Sequence, residues 1–170
     1  RGHYIGDDPD ELKGWLTGSG ELVLSTESDR YYLARVVNAI DIDVLIDAML
    51  YKFLINFKVQ PYGYLLTGKT PVTMTTGGTI TNPGNVSALP YIKAFGTGDG
   101  TLTIGQTTIT FTDIAEYIEI DSALMQAKKG AVNKNACMSG DFPSLDTGSN
   151  TILWTGGITS VQITPNWRMR

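Results

Sequence analysis

Apolar and polar positions follow two periods along this chain. Near the start the spacing is helical, with Leu12, Trp15 and Leu16 at i, i+3 and i+4. Asp8 is placed to cap that helix, Pro9 suits its first position, and Glu11 completes a capping box. Gly18 suits the C-terminal stop. Two turns with one apolar face must pack on something larger, which predicts a small helix docked on a sheet.

Period two then takes over. Leu22 and Leu24 alternate in a short strand that ends in a polar turn at 25–29. A long alternating stretch follows from Tyr31, with Ile40, Ile42, Val44 and Ile46 on one side and Asp41, Asp43 and Asp47 on the other. Tyr51, Phe53, Ile55, Phe57 and Val59 alternate with Lys52, Asn56, Lys58 and Gln60. Aspartates on one strand and lysines on the next suit cross-strand pairing. A helix over 43–50 competes, but the Ile and Val content favours strand.

The pattern breaks at Gln60-Pro61-Tyr62-Gly63, and 67–71 is turn-like, which places a domain boundary between residues 66 and 67. Beyond it Thr, Gly, Asn and Ser multiply. Candidate strands are 72–76, 91–95, 102–104, 107–111, 117–120, 152–155 and 161–164. Turn chemistry separates them at Asn82-Pro83-Gly84-Asn85, Asp99-Gly100, Gly105-Gln106, Gly148-Ser149-Asn150 and Gly156-Gly157. Many short strands at close spacing read as a β-sandwich or barrel.

Composition narrows the chemistry. With 170 residues the chain supports one domain or two small ones. Its 13 Lys+Arg and 17 Asp+Glu leave a net charge of −4, without the broad positive field that nucleic acid or anionic lipid selects. His3 and Cys137 are the single histidine and cysteine. They leave no structural zinc site and no intrachain disulfide, and they make a histidine-dependent triad a poor reading. No apolar run is long enough to span a membrane. Arg1 in the first position, without the apolar core of a signal peptide, reads as a fragment or processed product.

Several motifs suggest chemistry that their context does not support. Gly63 to Thr70 reads GYLLTGKT, a formal phosphate-loop match. Pro71 and the strand-forming residues after it leave no helix where Lys69 and Thr70 would need one. Gly96-Thr97-Gly98-Asp99-Gly100 has too few ligands for calcium and reads as a hairpin turn. Asn85-Val86-Ser87 fits a glycosylation sequon without a secretory signal. Glu116, Glu119, Asp121 and Asp141 have no spacing that defines a glycosidase pair, and the three strand aspartates read as a solvated face. Trp15, Trp154 and Trp167 sit beside apolar neighbours and read first as core. No catalytic residue, cofactor site or metal site emerges, and the residues point to a non-enzymatic, β-rich binding or assembly module.

From residue 82 onward the text is distinctive. NPGNVSALPYIKAFGTGDGTLTI (82–104), YIEIDSALMQA (117–127) and SGDFPSLDTGSNTILWTGGITSVQITPNWR (139–168) resemble the distal tail protein (Dit, or phage tail-component) family of siphophages. Ala123 stands where that family has Glu in its IDS segment. Upstream, Trp15-Leu16, residues 20–24, Asp29-Arg30-Tyr31-Tyr32, Ala34-Arg35 and Phe57-Lys58-Val59-Gln60-Pro61 resemble the end of the family's N-terminal domain.

The resemblance implies a mainly β, two-domain structural protein. Residues 1–66 would be the C-terminal part of the N-terminal ring-forming domain, a helix plus a long hairpin. Residues 67–170 would be a galectin-like β-sandwich. It further implies a hexameric ring at the distal tip of the virion tail, joining the tail tube protein to the tail-associated hub protein. The sandwich would point outward, towards baseplate or receptor-binding proteins. The first part of the ring-forming domain would be missing from this chain. No specific nucleic-acid binding and no membrane insertion are expected, although Asp41, Asp43 and Asp47 could face DNA passing through the lumen. The alternative reading is a carbohydrate-binding sandwich, for which Tyr62, Tyr64, Tyr91 and Tyr117 are the candidate aromatics.

Overall fold

The structure is a computed structural model that describes residues 2–6, 8–38, 42–46 and 49–170. The chain divides into two compact units, Arg1–Gly63 and Tyr64–Arg170.

The first unit holds β1 (Gly2–Ile5), α1 (Pro9–Trp15), β2 (Ser19–Leu24), β3 (Glu27–Val36), β4 (Ile42–Ile46), β5 (Leu50–Phe53) and most of β6 (Phe57–Leu65). Asp8 caps the helix as its sequence position requires, its Oδ1 accepting the Asp10 N–H at 3.0 Å. Trp15 departs from the expected core position and is 64% exposed. With seven residues the helix ends at Trp15 itself, and the chain turns at Gly18 (φ 78°) into β2. Trp15 therefore borders a surface recess with Leu22, Val36 and Phe57.

Strands β1, β5 and β4 form one antiparallel sheet, and β6, β3 and β2 lie side by side in another. The expected charge pairing is present, with Asp43 opposite Lys52; Asp41 and Asp47 lie outside the described residues. The continuous strand expected over 51–59 is instead two strands. Asn38 explains the break: its Nδ2 donates to the Leu54 carbonyl (3.0 Å) and its Oδ1 accepts the Asn56 N–H (2.7 Å). A side chain has taken the backbone groups that a sheet neighbour would use. Conversely, the break expected at 60–63 is absent, because β6 runs through Pro61 and Gly63. Gly63 makes room for a side chain: a Cβ there would stand 2.9 Å from Arg30 Cδ.

The second unit opens with a single 3-10 turn, Leu66–Lys69. It continues with β7 (Val72–Met74), β8 (Gly78–Asn82), β9 (Tyr91–Ile104), β10 (Thr107–Asp121), β11 (Gln126–Lys129), β12 (Val132–Asn133), β13 (Met138–Ser139), β14 (Gly148–Thr164) and β15 (Arg168–Met169). Hydrogen bonding orders β12, β11, β10, β9, β14 and β7, with β13 also on β10 and β8 also on β14. Strand β8 has no counterpart among the strands expected from the sequence.

Strands β9, β10 and β14 each replace two shorter expected strands. Their register shifts between Phe111 and Ile114 and between Gly156 and Ser160, opposite Gly96–Gly100. What read as turns at Asp99-Gly100 and Gly156-Gly157, and as a hairpin turn over Gly96–Gly100, are bulges inside continuous strands. Glycine is required there because two backbones nearly touch: a Cβ on Gly157 would overlap the Thr97 carbonyl oxygen, and one on Gly96 the Gly157 carbonyl oxygen. Gly105-Gln106 is a true hairpin turn, since Thr107 pairs with Ile104. The turn expected at Gly148-Ser149-Asn150 is the start of β14. Asn150 donates from Nδ2 to the Asp146 and Gly148 carbonyls (2.8 and 3.0 Å) while its position in the strand pairs with Ile80.

The two halves of these bent strands enclose one core. Ile104, Ile109, Phe111 and Ile152 on one side of the bulges join Ile92, Ile118, Ile120, Val161 and Ile163 on the other, with Leu145 and Trp167. The protein is mainly β, and its second unit is an antiparallel β-sandwich.

Candidate functional surfaces

The phosphate-loop match takes no phosphate-loop shape. Its Gly63 and Leu65 lie in β6, and Leu66–Lys69 is one 3-10 turn followed by Thr70 in extended conformation (φ −80°, ψ 119°). Gly68 is buried against the backbone of Asn166 and Trp167. Asp99, the carboxylate of the supposed cation loop, accepts the Asp113 N–H at 3.0 Å and so fixes the bulge of β10. Among the described residues no group of three or more His, Cys, Asp or Glu could hold a metal ion.

The candidate carboxylates are separately engaged. Glu116 pairs with Lys129 at 2.8 Å, and that hydrogen bond and charge hold its carboxyl below the usual range. Glu119 accepts the Gly130 N–H at 2.9 Å, and Asp121 accepts the Ala123 and Leu124 N–H groups at 3.0 Å. Asp141 is exposed. Trp167 is buried, Trp154 and Cys137 pack half-buried against the same core, and His3 is exposed on β1.

Two of the four candidate tyrosines share a face. Tyr91, Lys93 and Phe95 of β9 stand opposite Asp121, Glu119 and Tyr117 of β10. The Lys93 ammonium lies 3.6 Å from the Tyr117 ring centroid and 5.4 Å from that of Phe95, and is 3.7 Å from Glu119. Burial pushes the Tyr91 phenol up to about 12, helped by its hydrogen bond to Glu119. The face is thus an interlocked cation, ring and carboxylate layer, with Lys93 resting on the ring a sugar would stack against. Tyr62 and Tyr64 lie in β6, outside this layer.

Parts of three distant motifs, residues 82–87, Leu145 and 168–170, meet in space. Asn82 is buried and donates to the Val86 and Leu145 carbonyls (3.1 and 2.9 Å), while its Oδ1 accepts the Gly84 N–H (2.8 Å). Arg168 donates from Nε to the Ser87 carbonyl at 2.8 Å, and its second guanidinium nitrogen reaches the same oxygen. Asn85 exchanges two hydrogen bonds with the backbone of Arg170 (3.1 and 2.8 Å). These residues carry structure, a role that a linear reading of separated motifs did not reveal.

Exposed apolar side chains concentrate in the first unit. Ile5, Val44, Leu45 and Met49 of its three-stranded sheet and adjoining turn are at least half exposed, as are Trp15 and Val37. Its buried hydrophobic residues, among those described, are Tyr31, Ala34 and Tyr51. A surface this apolar suits coverage by another protein surface.

No family model matches the chain, and no curated protein matches its sequence. A solved structure does match: the SPP1 Dit protein, whose crystal structure is described as a paradigm of the hub adsorption apparatus in Gram-positive infecting phages. The likeness covers 95% of this chain and 74% of that one, with a TM-score of 0.67 and 14% identity. The fold is that of SPP1 Dit. Both units fall within the likeness, so the Dit fold accounts for the small helical and sheet unit as well as for the sandwich.

Proposed function

We propose that this chain is a structural subunit of a phage tail tip, part of the hub through which the tail meets its host. The observation that carries this reading is the likeness to SPP1 Dit along nearly the whole chain. The exposed apolar surface of the first unit supports it, because an assembly subunit needs surface to bury against neighbours. In this reading the protein acts without catalysis or cofactor. Six copies close into a ring through the first domain, between the tail tube protein and the tail-associated hub protein. The sandwich faces outward, where receptor-binding proteins can attach. Immunogold electron microscopy of intact virions with antibody against this chain tests the placement. Label at the distal tail tip is expected; label on the capsid, or none on virions that contain the protein, would overturn it.

A further inference from the structure

We propose that the segment Asn166–Arg170 is a latch that pins the entry of the sandwich, residues 65–69, in place. The glycine of the rejected phosphate-loop match is its seat. The Asn166 N–H donates to the Gly68 carbonyl at 3.0 Å, and the Leu65 N–H donates to the Trp167 carbonyl at 3.0 Å. A Cβ on Gly68 would stand 2.5 Å from the Trp167 nitrogen and 3.3 Å from the Asn166 Cα, so only glycine lets the segment lie this close.

The other side of the same segment is tied to residues 85–89. Asn166 Nδ2 donates to the Leu89 carbonyl at 3.0 Å, Arg168 reaches the Ser87 carbonyl, and Asn85 holds Arg170. Asn166 is the pivot, with its backbone on one neighbour and its side chain on the other. It sits at φ 55°, a left-handed conformation that asparagine tolerates better than most residues. Trp167 anchors the segment in the core, whereas Arg168 and Arg170 lie outside it. The ties to residues 65–69 are two backbone hydrogen bonds beside that anchor, and in the latch they part while Trp167 stays buried.

Hydrogen–deuterium exchange on the full chain tests this. Gly68→Ala pushes the segment off its seat, and Asn166→Gly removes the side-chain tie while keeping the backbone conformation accessible. Each is expected to speed exchange of the amides of Leu65 and Asn166 by about tenfold, the loss of one to two net hydrogen bonds. Amides of β9 and β10 are expected to keep their wild-type rates. Unchanged exchange at Leu65 and Asn166 in both variants would overturn the latch. So would equal acceleration across β9 and β10, which would make the segment an inseparable part of the core.

Discussion

The side-chain amide of Asn82 donates to the carbonyl of Leu145, 63 residues away, from a site where Asn82 is 3% exposed. The same side chain spans its own turn through Val86 and Gly84, so one residue closes a turn and joins two distant loops. Asn82→Ala takes one donor from each of the Val86 and Leu145 carbonyls and the acceptor from the Gly84 N–H, although the Leu145 carbonyl keeps the Ala88 N–H at 2.9 Å. A loss of about 2 to 3 kcal/mol is expected from urea denaturation. A loss below about 0.5 kcal/mol would mean that water replaces the amide without cost.

The corner of the sandwich makes a sharper comparison between two glycines. A Cβ on Gly157 has nowhere to go except into the Thr97 carbonyl, whereas Gly98 (φ 76°) has open space around its Cβ position. Gly157→Ala is expected to cost about 3 kcal/mol or to prevent folding. Gly98→Ala is expected to cost only about 1 kcal/mol, the penalty of a left-handed backbone with a side chain. Thermal unfolding of the two variants side by side checks the order, and equal losses would contradict the close approach of β9 and β14.

Tyr91 links stability to alkaline pH. Its folded pKa is pushed from 10.0 to about 12, first by burial and then by Glu119. Between those values the unfolded chain has given up a proton that the folded chain retains. The contribution of Tyr91 is therefore complete below pH 10 and is lost as pH rises towards about 12. Urea midpoints measured across that window should fall more steeply for the wild type than for Tyr91→Phe. Parallel curves would show that the phenol titrates normally.

Much of the architecture was legible in the sequence because it rests on local rules. The Asp8 cap, the Gly105-Gln106 hairpin turn and the Asp43–Lys52 register each follow from residues that meet locally or across one pair of strands. Misreadings arose where glycine serves a non-local purpose. Gly96, Gly156 and Gly157 look like turn residues in a line of text, yet they are where one long strand passes close to another. Asn38 and Asn150 show the same limit, since each directs backbone groups through a side-chain contact that no periodicity encodes. Trp15 was misplaced because apolar neighbours imply burial only when something covers them.

For the surfaces, the sequence correctly suggested that GYLLTGKT lacked the helix a phosphate loop needs, and Thr70 is extended. It did not reveal that Tyr91 and Tyr117 share a face with Lys93 between them, because that layer depends on the β9–β10 register. Nor could spacing alone show that the Asn82 turn and Arg168 meet. They approach each other only after the chain has passed through the whole second unit.

Assembly into a tail-tip ring is tested most directly by native mass spectrometry of the protein. A closed hexamer is predicted, together with its loss in Leu45→Glu, which places charge on an apolar side chain that is 50% exposed. A protein that stays monomeric, even when mixed with the neighbouring tail proteins, would contradict the account.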